Sequence, residues 1–424
     1  MPALWSALLW SRRDSRRVSK LTFTASAPAV PTVPQLPLEL HFFIIDHFRP
    51  DSAELQSCSL VSLAWAAHIQ SLRFRRICVR PRTVLRFLDV LLDNPRLGEF
   101  VTVLDVREGA TRHVTPPSAL AALFPVLHCL PQLHTLGISH KNVEIGLEML
   151  LQQTGVCTRV TTLRLRFCRF ETPDALYRFI GAFRLLRSLE VFQCDTGQTT
   201  PHPLAPTMRQ AASYCFDLAS LALGTYPQTP LIQWLTTDDI SLSVDRLRIL
   251  SFGNDASSFN ALLAKIGSGL KSLEVPGPHT RRRGSTAEDT PLDLRPCCAL
   301  STLTFSERSP SQTSKTVLAT LAQLRANGAQ NSLTTLSFDV ALSTPYKDVP
   351  WEEVELAILG LGNNARFPRL QAVVFHLSAA MVPRRPVGYV TAYREAVLFL
   401  EDKMAALKAK GSLQFVEEDD DESA

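Results

Sequence analysis

The sequence predicts an α/β fold in two parts, a short three-helix module followed by a solenoid of alternating strands and helices. A six-residue signature, apolar-x-x-apolar-x-apolar, recurs ten times between residues 101 and 375. Apolar residues at helical spacing fill many of the intervals between copies. Ahead of the first copy, three short apolar segments lie within residues 36–72, bounded by helix start and stop signals.

The copies are VTVLDV from 101, LHTLGI from 133, VTTLRL from 160, LRSLEV from 186 and LASLAL from 218. LRILSF from 247, LKSLEV from 270, LSTLTF from 300, LTTLSF from 333 and the weaker LQAVVF from 370 complete the series. Their starts lie 23 to 37 residues apart. In each, the last two apolar positions alternate with other residues, as a half-buried strand requires. Helical patterns between them include Leu120, Leu123, Phe124 and Leu127; Leu176, Phe179, Ile180 and Phe183; and Phe259, Leu262, Leu263 and Ile266. Two more run through Val317, Leu318 and Leu321, and through Val354, Ile358 and Leu361. Repeats of this length stack into quasi-one-dimensional arrays with capped ends. A helix from Tyr389 to Lys410, stopped by Gly411, suits the C-terminal cap. The rival fold is a doubly wound sheet. Its strands are usually continuous apolar runs, whereas Arg164, Arg166, Glu190 and Glu274 interrupt these.

The module opens with LPLELHFFIIDHFRP, residues 36–50. Pro37 sits where a helix begins, its missing N–H harmless there. Pro50 ends the helix by Arg49. Leu40, Phe43, Ile44 and His47 share one face, and Leu38, Phe42, Ile45 and Phe48 point elsewhere. A surface helix buries one stripe and wets the rest, so this one has apolar surface to spare. Asp51 with Glu54 reads as the N-cap of a second helix carrying Leu55 and Cys58. A third helix, from about Ser62 to Leu72, presents Leu63, Trp65, Ala66 and Ile69.

The residues Leu36, Pro37, Glu39, Leu40, Ile44, Ile45, Leu55, Cys58, Leu60, Val61, Ser62 and Trp65 form a pattern that resembles the F-box. Its C-S-L-V-S-x-x-W style is similar to the F-box proteins of mushroom-forming fungi. His41 departs from that family, which prefers an apolar residue there. The strand–helix copies in turn resemble leucine-rich repeats. Cys168 and Cys194 stand where those repeats place Asn or Cys, and most other copies lack such a residue. The resemblance implies a non-enzymatic substrate receptor of an SCF-type ubiquitin ligase. Leu36, Pro37, Leu40, Ile44, Leu60 and Val61 would dock on the Skp-family adaptor, which links to the cullin. The concave strand face would hold a substrate protein, with Arg164, Arg166, Glu190 and Gln193 as candidate contacts. The first alternative is a protein–protein interaction scaffold in which the helices merely cap the repeats; the second is an enzyme of the α/β class, which would need a pocket with convergent titratable groups that the sequence does not name.

The expected divisions are a basic N-terminal arm and Pro-rich linker at 1–33, the helical module at 34–78, repeats at 79–416 and an acidic tail at 417–424. Hydrophobic content of 46% and charged content of 20% place the chain in the globular class. A net charge of +4 is too small to argue for a nucleic-acid partner. Trp5, Trp10 and Phe23 near the basic arm form no defined platform for one. Nine cysteines, with no C-x-x-C and no N-x-[ST] sequon, favour a reducing compartment and a cytoplasmic or nuclear location. No apolar run reaches membrane-spanning length. The arginine-rich start also fits a transit peptide, although a disordered arm is the preferred reading.

No Walker loop, H-E-x-x-H or G-x-S-x-G occurs. Gly360, Gly362 and Ala365 fit G-x-G-x-x-A but follow a helical pattern, so they read as a helix C-cap. His128, Cys129, His134 and His140 do not form a convincing zinc set, and no cofactor is expected. Arg281 to Arg283 with Ser285 resemble a basophilic kinase site in a long loop, read first as a solvated loop.

Overall fold

A computed structural model describes residues 36–48, 52–108, 123–140, 159–196, 214–224, 229–250, 256–276, 292–306, 317–324, 332–342, 346–360, 367–378 and 389–417. The basic arm, the arginine loop at 281–285 and nearly all of the acidic tail lie outside them. The chain divides into two compact units, Met1–His68 and Ile69–Ala424.

In the first unit, α1 (Leu38–Asp46) follows Pro37, and α2 (Ala53–Cys58) is capped by Ser52. The Ser52 side-chain oxygen accepts from the Leu55 amide at 3.3 Å. Ser52, not the expected Asp51, is therefore the N-cap, because its hydroxyl reaches one of the amides that lack a helical partner. Ser62 does the same for Trp65 at the start of α3 (Leu63–Arg75), at 3.2 Å, and the boundary between the units falls within this helix. Ile45 and Leu55 are fully buried. His41 belongs to this packing: the Trp65 indole N–H donates to its Nδ1 at 3.4 Å, with the two rings edge-on. Phe42 stacks on His68 at 4.1 Å, and His68 Nε2 lies 2.7 Å from the Asp46 carboxylate. A histidine at position 41 is thus accommodated by a polar contact, where an aliphatic side chain would leave the indole N–H without that acceptor.

The second unit is built on one twelve-stranded sheet. Its strands are β1 (Arg76–Val79), β2 (Val103–Glu108), β3 (Thr135–His140), β4 (Thr162–Arg166), β6 (Ser188–Phe192), β8 (Tyr214–Leu223), β9 (Ile240–Ile249), β10 (Ser272–Pro276), β11 (Thr302–Ser306), β12 (Thr335–Ala341), β13 (Ala372–Ser378) and β14 (Leu413–Glu417). They lie side by side in chain order, all parallel. The order never turns back, unlike that of a doubly wound sheet. A second, two-stranded sheet pairs β5 (Arg169–Phe170) with β7 (Asp195–Thr196).

Register aligns the signature from strand to strand. Leu104, Leu136, Leu163, Leu189, Leu221, Leu247, Leu273, Leu303, Leu336 and Val373 form one buried row. One expected copy is shifted. Leu247 pairs with Leu221 and Leu273, so the copy in β9 is VDRLRI from Val244, not LRILSF from Leu247. Both satisfy the apolar pattern, and the pairing register decides between them. With the corrected start the intervals on either side, 218 to 244 and 244 to 270, are both 26 residues. Two strands of the large sheet were not expected, β1 and β14, one at each edge, and neither were the short β5 and β7.

Connections carry helices where the periodicity predicted them. Pro173–Gly181 buries Leu176, Phe179 and Ile180; Ala256–Ile266 buries Phe259, Leu262, Leu263 and Ile266; Trp351–Leu359 buries Val354 and Ile358. In the helical stretch 317–324, Val317 and Leu321 are buried and Leu318 is half-buried. Residues 124–129 form a 3-10 helix, and Leu120 lies outside the described residues. Two further helices, α4 (Pro81–Asp93) and Thr229–Thr236, were not foreseen. The expected helix Tyr389–Lys410 is two, Tyr389–Lys403 and Ala405–Ala409, broken at the buried Met404 (φ −119°). The Glu355 carboxylate accepts from the Leu407 amide at 2.9 Å and so satisfies a donor near the start of the second helix. Gly411 (φ 70°) does end it, but β14 follows, so the edge of the sheet is a strand rather than a helical cap.

Cysteine burial is mixed. Cys168, Cys194 and Cys297 are buried, whereas Cys78, Cys215 and Cys298 are exposed. Burial pushes the Cys297 thiol up to about 12 from an ordinary 9.0. Iodoacetamide at pH 8 should therefore modify the three exposed thiols in the native protein and spare Cys297, as peptide mass mapping would read out. The unfolded chain releases this thiol's proton near pH 9.0 and the folded chain only near 12. The resulting stabilisation is whole below pH 9.0 and is lost as pH rises towards 12. Burial moves Tyr177 in the same direction, so both groups weaken the fold in alkali.

Candidate protein-interaction surfaces

Two surfaces stand out. On the helices of the first unit, Leu36, Pro37, Leu40, Ile44, Leu60 and Val61 are all exposed. Leu60 is 85% exposed and Val61 65%, both in the turn between α2 and α3. Leu38, Phe43 and Leu63 extend the set. On α1 the cause is geometric. Phe42, Ile45 and Phe48 turn inward, which leaves Leu40, Phe43, Ile44 and His47 on the wet side of α1. His47 closes this face by hydrogen bonding its Nδ1 to the Phe43 carbonyl at 2.7 Å and setting its ring against Phe43.

The other surface is the open face of the large sheet. Burial alternates along β4 and β6, with Leu163, Leu165, Leu189 and Val191 inward and Arg164, Arg166 and Glu190 outward. Parallel sheets are normally covered on both faces; this one is open on one from β4 to β11, whereas Asp105, Ser337 and Val374 in the same register row are buried. Register sets Arg164 opposite Glu190 and Arg166 opposite Phe192. Arg166 donates Nε to Glu190 Oε1 at 2.9 Å and brings Nη2 to 2.8 Å of the same oxygen. Arg164 Nε stands 3.7 Å from the other carboxylate oxygen. Three of the four candidate substrate contacts thus form one cluster.

Gln193, the fourth, lies just past β6 and is half-buried, with φ 49°. Phe167, at the matching place after β4, has φ 58°. Side chains other than Gly rarely adopt this left-handed geometry. The next residue in each case is a buried cysteine whose thiol points at a neighbouring strand. Cys168 Sγ lies 3.4 Å from the Ile138 carbonyl, and Cys194 Sγ 3.6 Å from that of Leu165. These turns swing the chain from the large sheet into β5 and β7, and they leave the Phe167 and Phe192 rings edge-on at 5.4 Å beside Arg166.

No family model and no curated protein matches this chain. Among solved structures it is similar to a chain in the crystal structure of the Rad7 and Elc1 complex in yeast. Identity is 14% over 87% of this chain and 91% of that one, with a TM-score of 0.34. A likeness of that size supports no inference about this chain.

Sequence reasoning missed other groups on this side of the sheet, among them the buried carboxylate of Asp105. Arg76 Nε lies 3.3 Å from Asp105 Oδ2, and Arg248 Nε 2.7 Å from Glu274 Oε1. The alternation rule could have found both pairs had β1 and the register of β9 been recognised. Two glycines make room for this face. A Cβ on Gly137 would sit 2.2 Å from the Asp105 carboxylate, and one on Gly224 2.1 Å from the Phe192 ring.

His128 Nε2 and Cys129 Sγ approach to 3.3 Å. No group of three or more His, Cys, Asp or Glu among the described residues could hold a metal ion. Gly360 (φ 78°) ends the helix Trp351–Leu359; the rest of that glycine stretch lies outside the described residues. No helix among the described residues is long and apolar enough to cross a membrane.

Proposed function

We propose that this chain is a non-enzymatic substrate receptor of an SCF-type ubiquitin ligase. In this reading the first unit is an F-box similar to those of mushroom-forming fungi, and the second is a leucine-rich-like solenoid. The exposed apolar residues of α1 and the α2–α3 turn dock on a Skp-family adaptor that links to the cullin, and the open strand face holds a substrate protein. The observation that carries the proposal is the exposure of Leu36, Leu40, Ile44, Leu60 and Val61 on a unit whose Ile45 and Leu55 are fully buried. A large apolar patch on a small unit marks an interaction site. Covering it returns roughly 25 cal/mol per Å² before the cost of association. Support for the solenoid comes from the unreversed strand order and the alternating burial.

The test is retention of recombinant Skp-family adaptor by the immobilised full chain. Retention is expected, and Leu36→Asp with Val61→Asp should abolish it while leaving the melting of the sheet unchanged. If the folded wild-type chain retains no adaptor, the ligase role is withdrawn in favour of a repeat scaffold.

A further inference from the structure

The charges on the open face follow a pattern. Glu190 serves two arginines, Arg164 and Arg166. Glu274 pairs with Arg248, and Arg246, two residues earlier in β9, is also exposed beside a buried Leu247. Asp105 pairs with Arg76, and Arg107, two residues later in β2, is exposed beside a buried Val106. Among the described residues, each cluster therefore holds two guanidiniums and one carboxylate, which leaves a surplus of one positive charge. Just before β6 and β10 the pairing is one to one, Arg187 with Asp217 on β8 and Lys271 with Asp245 on β9.

Spacing follows from the strand order. Arg164 and Arg248 occupy the same register row, separated by Glu190 on β6 and Ala222 on β8. Three strand intervals of about 4.8 Å put them ~14 Å apart. An extended chain covers that distance in about four residues at ~3.4 Å each. Two residues further along the strands, in the row of Arg166, Phe192 rests over Gly224 and meets Phe167, which is 39% exposed in its left-handed turn. Strained backbone of this kind persists where the surrounding structure holds it and collects at binding sites. Arginine and aromatic side chains together are the usual composition of an interface hot spot.

We propose that this face binds an extended acidic segment of a partner protein running across the strands. Carboxylates four residues apart meet the Arg164–Arg166 and Arg246–Arg248 pairs, and an apolar residue between them packs on Phe167 and Phe192. One surplus charge per cluster matches one carboxylate. Guanidinium donors not spent on Glu190 and Glu274 supply the bonds, since each guanidinium offers five N–H groups. The inference deepens the reading of this face as the substrate-holding one and rests on it.

The experiment is fluorescence anisotropy of the full chain with labelled nine-residue peptides. One carries two glutamates four residues apart with a phenylalanine between them; the control has the same composition with adjacent glutamates. The spaced peptide should bind at least about tenfold tighter than the control, the scale of one charge-assisted contact. Arg164→Ala with Arg248→Ala should remove the preference. Glu190→Gln, which releases both guanidiniums, should tighten binding by about fivefold, a gain that misfolding cannot produce. Equal binding of the two peptides, indifference to the arginine changes, or equal displacement by a single-stranded oligonucleotide of the same charge would each overturn the proposal. Adaptor retention is measured on the same preparations. Peptide failure with the adaptor retained sinks this inference alone, whereas loss of the adaptor with peptide binding kept sinks the ligase reading and leaves the face standing.

Discussion

Replacing Trp351 by alanine should destabilise the C-terminal strands by about 3–5 kcal/mol, the range for deleting a large buried aromatic ring. Trp351 is 1% exposed and opens the helix Trp351–Leu359. Its ring stands edge-on to Phe338 at 5.5 Å and to Phe375 at 5.3 Å. Those two rings belong to a stack in which Phe305, Phe338, Phe375 and Phe415 follow one another through β11 to β14 at 5.2 to 5.7 Å. The indole N–H also donates to the Tyr346 carbonyl at 2.9 Å, so truncation removes a buried hydrogen bond as well as leaving a cavity. Each strand pairs only with its neighbours in the sheet. The damage should therefore stay local, in the manner of repeat arrays. Hydrogen exchange is the measurement: amides of β12 to β14 should lose protection while β2 to β4 keep theirs. Uniform loss across the sheet would show instead that the strands unfold as a single cooperative block.

That phenylalanine stack also shows how much of the fold was legible. Phe305, Phe338 and Phe375 end three of the recognised copies, so their burial followed directly from alternation. Phe415 escaped because its strand reads K-x-x-L-x-F from Lys410, with a lysine where the signature needs an apolar residue. An edge strand has a neighbour on one side only, and it tolerates that loss. At the other edge, FRRICV from Phe74 does satisfy the signature, with Phe74 and Val79 buried. It went unseen because Phe74 also belongs to α3, and helix and strand periodicities cannot be separated over so short an overlap.

The candidate sites were legible to different degrees for a physical reason. Alternation alone put Arg164, Arg166 and Glu190 on one face, and register then brought them into one cluster. Nothing local in the sequence marks the second arginine cluster, since its membership depends on the three-residue shift of the copy in β9. Left-handed geometry at Phe167 and Gln193 was equally hidden, because neither is a glycine or an asparagine. Backbone bonds from the Phe167 amide to the Phe192 carbonyl and from the Asp195 amide to the Cys168 carbonyl tie these turns together, with a buried thiol after each, and the sequence recorded only a cysteine in a recurring place.

In the helical unit, the largest effect is expected from Leu55→Asp. Leu55 has no exposed surface. An aspartate there would be buried as an unpaired charge, or else protonated and still short of partners, at a cost of several kcal/mol. Three helices in fewer than 40 residues hold only a few kcal/mol of stability between them. The variant should lose the ordered module, read as rapid hydrogen exchange through α1 and α2, while the sheet keeps its protection. Leu60→Asp is the matched contrast, because a side chain 85% exposed leaves stability within about 0.5 kcal/mol when replaced. Under the proposed function both variants lose the adaptor, by different routes. Leu55→Asp loses it together with helix protection, and Leu60→Asp loses it with protection intact. Adaptor retention by Leu60→Asp would remove the α2–α3 turn from the docking surface. Slow exchange through α2 in Leu55→Asp would mean that the three helices do not depend on Leu55 for their packing, and the apolar surface on α1 would then need another explanation than an inward face already filled.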